Sequence, residues 1–404
     1  MLRGNLPGWK SVVHDLPWAA PADNTARRDA LGIADNGPVF YATGPGYPGP
    51  YDVFIPTDIS NRVRIGFSRA PNKFHFPKYW QYVETPTMVA YYLKITTQEA
   101  ARVVNVQDFV WPDGQPDRTE EDGTESFNFI PFATQRYRYG ARLGDLTASQ
   151  AVWPIVEQHA GIKASQLMTN RTIRGCNAAT TASTWQVATN ADNTANLVAD
   201  HTATAAAMPG VGGFLDQGTA TSPFIKLALG YIADLINQDT IGVIDSDPDQ
   251  FFVIVNPGGA RLMASSPEIH QYIESSVWAM DEIRQGAHPN GKYGLPSKLY
   301  GFTLLVENTV QVNNQKLGTL VRSYPFPNQT LLVASRVGGL DGIYGAPSFS
   351  TLTMFWFQNE LTVETKKDNW DRLTYIRTVE NTYEAVTCTA SGYLVTQAFS
   401  QNIN

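Results

Sequence analysis

Apolar and polar positions recur with two different periods along this chain, and each change of period marks an element. The run FFVIV, 251–255, is apolar at every position, as in a strand buried on both faces. It leads through NPGGARLMAS into PEIHQYIESSVWAMDEIRQG, where Ile269, Tyr272, Ile273, Val277, Met280 and Ile283 recur at helical spacing. Ser266 is placed to cap that helix, Pro267 and Glu268 to open it, and Gly286 to stop it. The Gly258–Gly259 pair reads as a tight turn after Pro257. A second helix is predicted in SPFIKLALGYIADLINQDT, with Ser222 as cap and Pro223 at its first position. There Ile225, Ala228, Leu229, Ile232, Leu235 and Ile236 form one face.

A third helical pattern lies in 144–175, where Val152, Ile155, Val156, His159, Ile162, Leu167 and Ile173 approximate a stripe. Asp145 can cap it, and Pro154 should start or kink the main segment. A helix of about 20 residues would be near 30 Å long. Residues 177–210, rich in Ala, Thr and Asn, read as a loop or short hairpin, with Trp185 and Val187 as strand signals. Further strands are predicted over 302–306, 330–335, 351–357, 361–365, 372–379 and 384–389. A long hairpin is predicted from ARVVNVQDFVW, 101–111, and a return strand in SFNFIPFATQRYRYG, 126–140. Residues 1–80 keep returning to Pro, Gly and aromatics and read as an extended arm that lies on its own body or on a neighbour.

The chain has 404 residues, enough for two or three domains. Only 17% are charged, less than usual for a soluble surface, which points weakly to burial against other subunits. The net charge of −7 argues against a dedicated nucleic-acid binder, though not against a protein that merely encloses nucleic acid. The acid is unevenly placed. Between the two predicted hairpin strands, 112–125 carries Asp113, Asp117, Glu120, Glu121, Asp122 and Glu125 against Arg118 alone. Such a tip either projects into water as a solvated loop or meets a basic surface. Cys176 and Cys388 form no paired motif and read as buried thiols of a reducing compartment. The first residues lack an apolar signal-peptide core and no run is long enough to span a bilayer, so a soluble protein made in the cytoplasm is expected.

Candidate chemistry is thin. The strand–glycine–helix layout at 251–266 resembles a phosphate loop, but Gly258 and Gly259 are followed by Ala260, Arg261 and Leu262, not by the lysine and hydroxyl that phosphate and magnesium need. DSDPDQ, 245–250, begins like a calcium loop, but Gln250 stands where glycine is needed and Asn256 where glutamate is. His14, His75, His159, His201, His270 and His288 never pair at metal-ligand spacing, and His270 reads as structural. GGLDGIYG, 338–345, reads as a flexible loop. No catalytic, cofactor or metal residues are assigned.

The order of elements does resemble a known family. An arm, a long hairpin with a charged tip, a long helix, a compact α/β part and closing strands follow one another. FFVIVNPGGARLM, a capped helix, then GKYGLPSKLYGFTLLVENTV, with Leu299, Gly301, Leu304 and Val306, is similar to the major capsid proteins of tailed bacteriophages, the Hong Kong ninety-seven type of shell fold. The tail from ELTVETKKDNWDRLTYIRTVE to YLVTQ is similar to that family's closing strands. The resemblance implies an α+β fold with an N-terminal arm (1–80), an E-loop hairpin region (81–143), a peripheral domain with a spine helix (144–200), an axial domain (201–350) and return strands of the peripheral domain (351–404).

It also implies a non-enzymatic subunit that assembles into pentamers and hexamers around double-stranded DNA in a virion, put together in the host cytoplasm. Its partners would be itself, separate scaffold, portal or decoration proteins, and DNA through nonspecific contact; no membrane and no cofactor are expected. Asp117, Glu120, Glu121 and Asp122 at the E-loop tip become candidate subunit contacts. Two departures matter. No lysine lies between Lys94 and Lys163, so E-loop lysine cross-linking is not available, and no helical scaffold segment precedes the E-loop. An encapsulin-like compartment shell shares the implied fold. An α/β enzyme with a site assembled from distant residues is the remaining alternative.

Overall fold

The computed structural model describes residues 74–95, 129–150, 154–186, 201–240, 242–286, 288–312, 322–336, 349–358, 360–368 and 370–401. The arm up to residue 73, the predicted strand 101–111, the acidic tip, Val187 and the Gly-rich stretch 338–345 lie outside them. The described helices are α1 (His75–Lys78), α2 (Asp145–Gln150), α3 (Ile155–Thr180), α4 (Phe224–Asp239), α5 (Pro257–Ser265), α6 (Pro267–Ser275) and α7 (Val277–Gln285). The strands begin with β1 (Gln81–Glu84), β2 (Val89–Leu93), β3 (Phe129–Ala133), β4 (Gln135–Gly144), β5 (Thr202–Thr204), β6 (Phe251–Val255), β7 (Lys298–Leu299) and β8 (Phe302–Val306). They continue with β9 (Gln311–Val312), β10 (Arg322–Ser323), β11 (Leu331–Ser335), β12 (Leu352–Trp356), β13 (Thr362–Asp368), β14 (Leu373–Val386) and β15 (Gly392–Thr396). The expected mixture of helix and sheet is observed. No helix among the described residues is long and apolar enough to cross a membrane.

The chain divides into two compact units. The larger takes in Arg69–Gln135, Met168–Gln358 and Asn381–Asn404. Its main sheet has the order β5-β15-β11-β6-β8-β7, with β6 and β8 parallel at the centre. Both faces are covered. Phe251, Val253 and Val255 pack with Leu304, Leu331 and helix α4, while Phe252 and Ile254 pack with Trp80, Trp185 and Leu332. This is the physical reason the run at 251–255 has no polar position. A second group of strands pairs β1 parallel to β12 and β12 antiparallel to the last residues of β14.

The smaller unit includes Arg136–Leu167 and Asn359–Glu380. Here β14 pairs with β13 on one side and β4 on the other. Leu143, Val363 and Ile376 bury one face of this sheet against Ala160, with Ile155 and Val156 packed alongside.

Several expectations need correction. No tight turn follows Pro257: α5 begins there, and Asn256 caps it by accepting the Gly259 N–H at 2.7 Å. Gly259 is needed for packing, since a Cβ would lie 2.7 Å from the Phe399 ring. Neither Ser222 nor Ser266 caps by side chain. Ser266 Oγ donates to Gly218 O, and α4 starts at Phe224 because the Glu268 carboxylate accepts the N–H groups of Ile225 and Lys226, 2.9 Å each. The helix predicted over 267–286 is two helices. Ser276 interrupts it and its hydroxyl accepts the Ala279 N–H, so Val277 points outward instead of into the core.

Helix α3 starts directly after Pro154 and runs for 26 residues, about 39 Å. Asp145 is not its cap; it opens α2, and its Oδ1 accepts from Thr374 Oγ1. The buried stripe of α3 is not the Val/Ile one. It runs Ala160, Ala164, Leu167, Thr172, Cys176, Ala179, while Ile162 is half exposed. Small residues let neighbours approach closely: a Cβ on Gly175 would sit 2.5 Å from the Trp80 ring. Residues 177–180 continue this helix, and Trp185 is no strand residue but a buried stop whose Nε1 donates to Ala179 O at 2.7 Å. The two strands expected at 372–379 and 384–389 are one strand, β14. Glu380 and Thr382, which fall between the two predicted strands, are fully buried within it. The return strand 126–140 is divided at Thr134, whose N–H donates to Met88 O, and β3 pairs with Val89–Leu93.

Candidate functional site

The β2–β3 hairpin, in the larger unit, is apolar on both faces. Its register sets Tyr92 opposite Ile130 and Ala90 opposite Phe132. Ala90, Tyr92 and Phe132 turn to Phe355, Tyr383 and Ala385, with ring centroids 4.5 Å apart for Phe132–Phe355 and 5.2 Å for Phe132–Tyr383. The same register puts Val89, Tyr91, Ala133, Pro131 and Phe129 on the other face. There Val89 is 64% exposed, Tyr91 58% and Phe129 57%, and none of these side chains carries a charge. Three large apolar groups more than half exposed on one small ribbon mark an interaction surface. Each would contribute about 1.5–3 kcal/mol if fully covered. Replacing both Tyr91 and Phe129 with Glu is therefore expected to leave stability within about 0.5 kcal/mol, since the sites are exposed. Self-association should weaken by at least about 100-fold, because the contact would then bury unpaired carboxylates. Thermal melts and sedimentation read the two effects separately. Unchanged sedimentation would show that this face carries no self-association.

Two further exposed groups stand on rigid turns. The break at Ser276 leaves Val277 77% and Trp278 52% exposed at the start of α7, while Ala279 beside them is buried. In the smaller unit, the turn between β13 and β14 presents Trp370, 94% exposed. Asp368 Oδ1 accepts the N–H groups of Trp370 and Asp371 at 3.0 and 3.3 Å, so the turn is held in shape before anything touches the indole.

The solvent face of the smaller unit's sheet is cationic. Alternation along β4 sets Arg136, Arg138 and Arg142 on one side, with Gly140 between the last two. Lys366 from β13 and Arg377 and Tyr375 from β14 share that face. Arg138, Arg142, Lys366, Tyr375 and Arg377 line a cleft of about 510 Å³. Its two carboxylates are already engaged. Glu364, almost fully buried, pairs with Arg377 and lies 3.9 Å from Arg136, and Asp368 holds the turn. The Arg142 guanidinium lies 5.6 Å above the Tyr375 ring. Arg138 makes no ion pair among the described residues.

The buried ionisable groups serve architecture. Glu268 organises the start of α4 and accepts from Tyr300 Oη at 2.9 Å, and burial first, then that hydrogen bond, push the Tyr300 phenol up. His201 bridges Gly392 O and Asp239, 2.8 Å from each; nothing in its local sequence announced this pair. His270 is exposed on α6 rather than structural. Glu307 is wholly buried and accepts from Phe74 N at 3.2 Å, Phe76 N at 2.8 Å and Thr309 N at 3.0 Å. Both thiols are buried, and burial pushes Cys388 up to about 11 and Cys176 well above the ordinary thiol value, so neither is a nucleophile at neutral pH. The start of α5 is not an open anion site, because Pro257 to Ala260 are buried and Asn256 occupies the free N–H position. Among the described residues no three His, Cys, Asp or Glu side chains converge as a metal site. At 245–250, Asp247 caps a short turn of 3₁₀-helix.

The sequence-predicted contact residues Asp117, Glu120, Glu121 and Asp122 lie outside the described residues. The hairpin's outer face, Trp370 and the cationic cleft were not anticipated. Alternating apolar residues on both faces of 89–93 carried a signal for the first, whereas the cleft is built from distant stretches.

No family model and no curated protein matches the chain. Solved structures do. A phage-related protein from Bordetella bronchiseptica aligns over 85% of this chain and 97% of its own, at 13% identity and a TM-score of 0.53. The capsid of cyanophage P-SCSP1u aligns over 91% and 97%, with 12% identity and a TM-score of 0.48. The mature capsid of bacteriophage PhiM1 aligns over 95% and 98%, with 12% identity and a TM-score of 0.46. At such identities the likeness is one of fold, and the fold shared is that of the phage-related protein.

Proposed function

We propose that this chain is the structural subunit of an icosahedral shell, a major capsid protein of the Hong Kong ninety-seven type, that assembles into pentamers and hexamers and encloses double-stranded DNA in a virion. The observation that carries the reading is the β2–β3 hairpin, apolar on both faces, with Val89, Tyr91 and Phe129 more than half exposed on one of them. A protein that works alone has no use for such a ribbon; a subunit that lays it on its neighbour does. The fold shared with a phage-related protein and the low fraction of charged residues, 17%, support the same reading. In it, β2 and β3 form the base of the E-loop, α3 is the spine helix, the main sheet with α4 to α7 is the axial domain, and β13 and β14 belong to the peripheral domain.

The chain's role is then mechanical. Apolar faces and exposed tryptophans supply the affinity between copies, the acidic tip with Asp117, Glu120, Glu121 and Asp122 supplies charge contacts, and DNA is held by enclosure. Separate scaffold, portal and decoration proteins complete the particle, which forms in the host cytoplasm. Electron microscopy of the purified protein, beside its mass in solution, tests this. Closed shells or rings of five and six are the expected result, and nucleic acid rather than protein inside particles recovered from infected cells separates a virion from a compartment. A chain that stays monomeric at high concentration, with crowding agents and with a co-expressed scaffold, would overturn the proposal.

A further inference from the structure

We infer that the cationic cleft of the smaller unit is a binding site for a chain of phosphate groups. The inference stands apart from the shell reading and needs a single copy of the chain. Its first support is the charge gathered in one place. Four cations, Arg138, Arg142, Lys366 and Arg377, line the cleft against two carboxylates, Glu364 and Asp368. That leaves a surplus of two positive charges, in a chain whose total is −7. The second support is that both carboxylates are already engaged. Glu364 is almost fully buried, pairs with Arg377 and lies 3.9 Å from Arg136, and Asp368 Oδ1 accepts the N–H groups of its own turn. Arg138 and Arg142 face the cleft without a carboxylate partner among the described residues. Like charges gathered on one face raise the local potential, and an anion that enters removes their repulsion.

The residue types and their spacing select the anion. A guanidinium presents a planar fork of N–H donors that fits two phosphate oxygens at once. A carboxylate fits the same fork but brings one charge, whereas a phosphate monoester brings about −1.5 to −2 at neutral pH, and a chain of phosphates more. Alternation along β4 sets Arg138, Gly140 and Arg142 on one face, about 13 Å from first to last. Gly140 has no side chain to fill that interval, so the floor between the two forks is bare backbone. A linear anion lies over the glycine with an arginine at each end, in a cleft whose volume, about 510 Å³, is that of a small-ligand site. The one ring lining the cleft, Tyr375, is engaged by the Arg142 guanidinium 5.6 Å from its centroid, which leaves no aromatic platform dedicated to stacking a base. The site thus reads phosphates and not bases. Free polyphosphate and the backbone of a nucleic acid present the same groups, and competition between them separates the two sources.

Calorimetric titration of inorganic tripolyphosphate into the full chain at neutral pH tests the site. One bound equivalent per chain is expected, with affinity falling by about tenfold or more as salt rises from about 0.1 M to about 0.5 M. Arg138→Ala combined with Arg142→Ala should weaken binding by at least about tenfold, as two partly screened charge contacts allow. Gly140→Ile should weaken it by a similar factor without altering any charge. A Cβ at Gly140 meets nothing closer than the Ile376 carbonyl oxygen at 3.4 Å, so the strand accepts the larger residue while the floor of the cleft is filled. Circular dichroism with a thermal melt shows that each variant is folded. Citrate, which offers carboxylates alone, should bind at least about tenfold more weakly than tripolyphosphate. Displacement of tripolyphosphate by a short DNA duplex assigns the phosphates to nucleic acid, and its retention assigns them to a free polyphosphate; the site stands in either case. The proposal fails if the parent chain binds no tripolyphosphate at about 1 mM. It fails equally if either variant binds as the parent does, or if citrate binds as tightly. Because the titration needs no assembly, a parent that binds but never forms shells refutes the shell reading alone, and shells from a chain that binds no phosphate refute the site alone.

Discussion

Replacing Glu307 with alanine is expected to destabilise the folded chain by about 3–6 kcal/mol. The carboxylate is fully buried and receives the backbone N–H groups of Phe74, Phe76 and Thr309 and the Thr309 hydroxyl. Without it, these donors stay buried and lose their acceptor, at about 1–3 kcal/mol each where no water can enter. The loss should be local first. Phe74 sits in the left-handed region at φ 56°, a conformation that the Glu307 contacts hold in place against its intrinsic cost. Phe76 and Trp80, which follow it, pack edge to face at 5.4 Å in the core beneath the main sheet. Urea unfolding measures the total, and hydrogen exchange over 74–80 should show the first protection lost; a change below about 1 kcal/mol would mean that the surroundings re-satisfy these donors. The effect also depends on pH. Burial pushes Glu307 above the ordinary glutamate value despite its hydrogen bonds. A raised folded pKa means that its contribution is complete below the unfolded value and shrinks as pH rises through the folded one, so the gap between parent and variant should narrow with rising pH.

Arg174→Leu is expected to cost about 3–5 kcal/mol, and to cost far less when Glu384→Leu accompanies it. Arg174 grips the carboxylate of Glu384 in a fork, with Nε 3.1 Å from one oxygen and Nη2 2.8 Å from the other. Glu384 is 5% exposed at its side chain, so the single substitution strands a charge that water barely reaches. Removing both partners exchanges a desolvated pair for apolar contact. Denaturant midpoints for the two single variants and the double variant complete the cycle. Equal losses in single and double variants would show that the arginine acts by packing alone.

What the sequence disclosed and what it hid follow one physical line. Patterns that depend on burial alone were legible: 251–255 and 302–306 are strands where apolar runs placed them, and Gly286 ends α7 in the left-handed conformation. Patterns that depend on a distant partner were not. Ser222 looked like the natural cap of α4, but Glu268, folded back from α6, outcompeted it. The strand predictions stopped at 379 and resumed at 384, because sequence does not reveal that 380–382 are buried within β14. The stripe of α3 was misread for the same reason, since Trp80 selects glycine and alanine there. The surfaces divided likewise: the acid at 112–125 is contiguous and visible in one reading, whereas the cations of the cleft come from distant stretches and gather when β4, β13 and β14 pair.

Trp370 gives this molecule an internal reporter. Trp80 and Trp185 are sealed in the core, so their emission responds to unfolding, whereas an indole 94% exposed on a stiff turn responds to whatever comes to rest on it. In the proposed shell, a quencher dissolved in the buffer, which reaches Trp370 and the half-exposed Trp278 in a lone subunit, is shut out to the degree that a neighbour covers them.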